Sequence, residues 1–124
     1  MAYEATGAKA MKWRGDAIVA TLAQCQAAHT ANGQPGLLYP YDVRSFQRLY
    51  DKAGSHSSGN CEPVCVPFYV LHKVLAGMLD QHTQTGSALA LAVAIKMANW
   101  THYSVEGTIA KWGDAKWQQP SGEV

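Results

Sequence analysis

Pro63-Val-Cys-Val-Pro-Phe-Tyr-Val-Leu-His-Lys-Val-Leu-Ala-Gly-Met-Leu-Asp80 is the stretch that decides the fold. Pro67 suits the first turn of a helix, where its missing N–H is not needed. Leu71, Val74, Leu75, Met78, Leu79 and His82 then recur at i, i+3, i+4 and i+7, which is one face of a helix. Gly86 closes that helix. Ser87 is a good N-cap for the next one, expected over about Ala88 to Tyr103. Leu89, Leu91, Val93, Ile95, Met97 and Trp100 surround the second helix and leave it almost no polar face. A helix that is apolar on most sides is buried between neighbours. The few short elements of this chain offer few neighbours, so the helix reads as part of something larger.

Upstream, the segment from about Tyr3 to Thr30 is rich in alanine and contains no proline. Ile18, Leu22 and Cys25 fall at i, i+4 and i+7, so a helix is expected, most firmly from Asp16 onward because Gly7 and Gly15 interrupt the earlier part. Asn32-Gly33-Gln34-Pro35-Gly36 is a stop and turn signal. Leu37 to Tyr41 reads as an extended connector. A short helix follows over about Val43 to Asp51, with Phe46 and Leu49 facing inward. Residues 53–60 have the composition of a loop. The tail from Lys111 onward reads as frayed. No strand alternation and no repeat is visible.

The chain has 124 residues, which leaves room for one domain only. Hydrophobic residues make up 48% and charged residues 15%, a globular rather than a disordered composition. The net charge of +1 comes without a basic patch, so no nucleic-acid partner is expected. No apolar run approaches the roughly 18 residues of a membrane span, so no membrane partner is expected either. No basic n-region or apolar h-region opens the chain. Three cysteines are too few for a disulfide framework and leave the redox compartment undecided.

The groups that could carry chemistry are sparse. Cys61 and Cys65 form a C-x3-C pair, with His56, His72 and His82 not far off. Zinc prefers such donors, but a structural site takes four of them and the second pair of a zinc finger is missing. Two incidental thiols at a loop–helix junction is the simpler reading. Glycoside hydrolysis by the usual route needs two carboxyl groups about 5–10 Å apart, and no two acidic residues here have a spacing that sets up such a pair. There is no G-x-S-x-G, phosphate loop or H-E-x-x-H motif. Trp13, Trp100, Trp112 and Trp117 are spread over several elements, so core packing suits them better than sugar stacking. His72 stands early in the clearest helix beside Phe68 and Tyr69. A histidine there can hydrogen-bond a sugar or another polar ligand, and the position also suits a purely structural histidine.

The stretch from Pro63 to Asp80 resembles the P-x-W-x-P-Y-Y-x-x-H-K-x-L-A-G-L-L-D signature of glycoside hydrolase family 127, the β-L-arabinofuranosidase-like proteins. Gly86 to Trp100 is similar to the helix that follows in that family, G-x-x-x-A-L-x-V-A-x-x-M-A-D-W. Tyr3-Glu-Ala-Thr-Gly7, Ile18-Val19 and Leu22-Ala-Gln-Cys-Gln26 resemble the preceding helix. Gly36-Leu-Leu and Phe46-Gln-Arg48 resemble the connector. The resemblance covers about residues 2–103. It departs at Cys65, which stands where the signature has tryptophan, at Leu37 in a common G-Y-L, and at Phe68, where the signature has tyrosine.

The resemblance implies an all-α fold, a partial (α/α)6 toroid of about three to four helices. Residues 1–103 would be a fragment of the early half of that toroid and residues 104–124 a C-terminal tail. In the intact family, hydrolysis of arabinofuranosides is retaining, with a zinc-bound cysteine nucleophile and a glutamate acid/base. The zinc is held by a glutamate and three cysteines, two of them adjacent, downstream of this segment. This chain has no Cys-Cys pair, so no catalytic residue, metal ligand or cofactor is expected in it. Alone it is expected to be inactive. His72 matches the signature's histidine, which implies a place in the sugar pocket, with Tyr69 as companion. The implied partner is an arabinofuranoside-type carbohydrate. The rival reading is a non-enzymatic helical module or relic of such an enzyme that self-associates through exposed apolar faces.

Overall fold

The structure, a computed structural model, describes residues 7–46 and 67–112. Three long helices carry the fold: α1 over Lys9–Ala31, α2 over Pro67–Thr85 and α3 over Ala88–Trp112. No strand occurs among the described residues. Among them, too, no helix is long and apolar enough to cross a membrane.

Local chemistry explains the boundaries. Pro67 is the first residue of α2, as its ring geometry favours. Gly86 ends that helix at φ +71, a left-handed conformation that side-chain-bearing residues rarely adopt, and its N–H donates to the His82 carbonyl at 2.8 Å. Ser87 Oγ then accepts from the Ala90 N–H at 3.3 Å and caps α3. Gly86 and Ser87 thus link α2 to α3, and these two helices share the largest interface. After α1, Gly33 and Gly36 take φ +81 and +91 and reverse the chain into the connector.

The core lies between the three helices and this connector. Leu37, Leu38 and Tyr39 are buried there, with Val19 of α1, Leu71 and Met78 of α2, and Val93, Met97 and Trp100 of α3. Phe46 sits at the centre. Its ring meets Tyr39 at 4.8 Å, Phe68 at 5.1 Å and Trp100 at 5.0 Å, in tilted or edge-on arrangements. Such pairs add to the burial energy of the rings. A backbone helical turn at 44–46 begins the short helix expected from Val43. Its continuation with Leu49, the loop at 53–60, His56, Cys61, Cys65 and the chain from 113 onward, Trp117 included, lie outside the described residues.

Several expectations are corrected. Helix α1 begins at Lys9, within the segment where a helix was expected, and runs straight through Gly15, which does not interrupt it. Gly15 faces α2 there: a Cβ on it would meet the movable end of the Gln81 side chain at 2.6–2.9 Å. Its packed face carries Val19 and Gln26, while Ile18 and Cys25, expected inward, are exposed. A buried glutamine and a glycine carry no hydrophobic signal, so the visible apolar stripe pointed about one residue off. Leu79 stands at the exposed edge of the α2 stripe. Trp13 is 71% exposed rather than in the core, whereas Trp100 is buried and donates through Nε1 to Gln34 Oε1 at 3.2 Å. Helix α3 continues past Tyr103 to Trp112. On α3, Leu89 and Ile95 are about half exposed, so its outer side has no cover from the described residues.

Candidate functional site

The first two turns of α2 present the candidate residues. The helix is held from below: Pro67 and Leu71 are buried, Met78 is buried two turns further on, and Phe68 packs edge-on against Phe46. Tyr69, His72 and Lys73 lie on the opposite, exposed side. Positions three and four apart are neighbours on a helix surface, so Tyr69 has both His72 and Lys73 beside it. The Lys73 ammonium stands over the Tyr69 ring, 5.0 Å from its centroid, within the range of a cation–π contact. The Tyr69 side of this patch is open, with the residue 59% exposed. No acidic residue lies in the first turn of α2. The patch therefore offers an aromatic face, an imidazole and an ammonium, which suit C–H stacking and hydrogen bonding to hydroxyl groups.

The remaining histidines of the described residues are occupied by the fold. The ring of His29 bonds the Tyr39 carbonyl through Nε2 at 3.0 Å. That of His82 bonds the Ser87 carbonyl through Nδ1 at 3.1 Å. On α3, His102 pairs with Glu106 at 3.3 Å on the surface. His72 is exposed on the anchored start of α2, three residues from Tyr69 on the same helix surface. Lys73 escaped sequence reasoning. Its signals were the lysine that follows the histidine in the family signature and the four-residue spacing from Tyr69.

Zinc, which the resemblance implies for the intact family, can be tested against the donors present. Among the described residues no three His, Cys, Asp or Glu side chains lie together as a metal site would require. Cys25 is a free, exposed thiol on α1. The donors of the described residues do not fit a zinc centre.

A packed α-helical sector with an exposed polar patch on a helix start is compatible with several families. Residues 1–121 match the family described as beta-L-arabinofuranosidase, GH127 catalytic domain. The chain belongs to this family. Comparison with curated proteins and with solved structures gives no match. Membership of the glycoside hydrolase family makes a carbohydrate the substrate class of the domain. It also gives the three described helices their architectural meaning: they are part of an all-α, (α/α)6 toroid.

Proposed function

We propose that this chain supplies one wall of the sugar site of a β-L-arabinofuranosidase-like toroid and does not hydrolyse glycosides by itself. The family match over residues 1–121 carries this reading. The exposed position of His72 on the anchored start of α2 supports it. His72 hydrogen-bonds a hydroxyl of the arabinofuranoside, and Tyr69 stacks beside it. The nucleophile, the acid/base and the zinc ligands come from outside the residues that build this wall.

The test uses the 124-residue chain. A chromogenic β-L-arabinofuranoside is incubated with it, with zinc and a thiol reductant present, and release of the chromophore is followed. In parallel, methyl β-L-arabinofuranoside is titrated into isotopically labelled chain and the His72 ring signals are recorded by NMR. No turnover, with saturable shifts at His72, is the expected result. Steady hydrolysis, or His72 signals indifferent to the sugar, would refute the proposal.

A second reading has its own observation. Met11, Trp13 and Ile18 on α1, and Leu89, Ile95 and Tyr103 on α3, are exposed. Apolar surface left in water drives association. In this reading the chain is a helical interaction module, and it pairs with itself. Light scattering that gives a monomer at every concentration would dismiss it.

A further inference from the structure

We propose that Lys73 is a positioning residue for the sugar site: its ammonium fixes the Tyr69 ring so that the ring's free face forms a ready platform for the pentose. The inference rests on the proposed sugar role of Tyr69 and His72 and adds a residue and a mechanism to it. Tyr69 is 59% exposed, and an exposed tyrosine on a helix otherwise samples several rotamers. Stacking on such a ring first costs the entropy of holding it still. Here the cation four residues on sits 5.0 Å from the ring centroid and holds one face. An ammonium is attracted to the electron-rich face of the ring. With one face taken by Lys73, the other is left for the C–H groups of a furanose ring. His72 lies three residues from Tyr69 on the same side of the helix, where it can reach the hydroxyls of a sugar stacked there. Leu71 and Met78 lock the helix below, which fixes the backbone positions from which the three side chains project.

The experiment has a ligand-free and a ligand-bound arm on the full chain. In the free chain, the Lys73 ε-methylene protons are recorded by NMR. Ring-current shielding should move them upfield, and the shift should vanish in Tyr69→Leu. Lys73→Met and Lys73→Arg are then titrated with methyl β-L-arabinofuranoside, after circular dichroism has confirmed the parent's helicity. A cation–π contact at an exposed site corresponds to a loss of about two- to fivefold in affinity for Lys73→Met. Lys73→Arg, which keeps the cation, should restore binding. Unshielded Lys73 protons in the parent chain, or equal affinity of parent and Lys73→Met, would overturn the role of Lys73 and leave that of His72 standing. A parent chain whose Tyr69 and His72 ignore the sugar would overturn both. If Lys73→Met fails to fold, the ε-proton shift of the parent chain decides.

Discussion

The side-chain amide of Gln26 on α1 donates to the Val93 carbonyl of α3 at 3.1 Å and to the Gly36 carbonyl at 2.8 Å. One buried amide thus ties the first helix, the turn after it and the last helix together. Gly36 contributes a buried carbonyl with no helix ladder around it. Losing the donor leaves that oxygen unpaired, which costs about 1–3 kcal/mol. Gln26→Met keeps much of the volume and removes the donor, so it should destabilise the chain by that amount in urea unfolding. A change below about 0.5 kcal/mol would show that the clamp is dispensable.

The glycines should separate by what a Cβ would meet. At Gly36, with φ +91, it would lie 2.5 Å from the Lys96 backbone oxygen, which cannot swing away. Gly33 has φ +81 and open space around it. Gly33→Ala should therefore cost only backbone strain, about 1–3 kcal/mol, and Gly36→Ala clearly more. Gly15→Ala should cost little or even stabilise. Its obstacle is the movable end of Gln81, and alanine gains about 1 kcal/mol over glycine inside a helix. Thermal melts of the three variants check the order, and a Gly36→Ala protein as stable as Gly33→Ala would contradict it.

Tyr39 carries a buried hydroxyl without a hydrogen-bond partner among the described residues. Burial pushes its phenol above the ordinary value of 10.0, and the nearby Ser45 side chain only partly offsets this. A raised native pKa means that the native state holds the proton more tightly than the unfolded state. Its contribution is complete below the unfolded phenol value and is lost as pH rises through that value toward the native one. Stability should thus fall above about pH 10, and Tyr39→Phe should flatten that fall. At neutral pH the same variant should be as stable as the parent or slightly more so, because an unpaired buried hydroxyl is removed. A loss of more than about 1 kcal/mol at pH 7 in Tyr39→Phe would show that the hydroxyl is paired after all.

Helix α2 was legible because its signals are local: a proline at its start, a glycine at its end and a repeating apolar face between. The capped start of α3 was legible for the same reason. Helix α1 was read less well. Its inner face is built from Val19, Gln26 and the cleft at Gly15, and a buried amide is matched to carbonyls ten and sixty-seven residues away. No window of sequence contains those partners. Trp13 was misplaced because an aromatic residue carries the same hydrophobic weight whether or not a neighbour covers it. As candidates, His72 and Tyr69 were marked by their place early in the clearest helix and then by the family signature, since one exposed face of an amphipathic helix otherwise looks like any other. Lys73 needed the geometry of its side chain over the ring.

His72 and its neighbour Leu71 should separate function from folding. Leu71 is buried against the core, and His72 projects from the other side of the same turn. Leu71→Ala should lower stability by about 2–5 kcal/mol through lost burial and the cavity left behind. His72→Ala should change stability by no more than about 0.5 kcal/mol, as for other surface positions. In an intact enzyme carrying this helix the order should reverse. A hydrogen bond from a fixed imidazole to a sugar hydroxyl contributes about 0.5–1.5 kcal/mol net, which is about two- to tenfold in affinity or rate. If that bond tightens as the glycosidic bond breaks, His72→Ala lowers kcat together with kcat/KM. If it is equally strong in both states, only KM rises. Either result, with the melting curve unchanged, fits a substrate-contacting histidine. Kinetics identical to those of the parent enzyme would leave His72 as an ordinary surface residue.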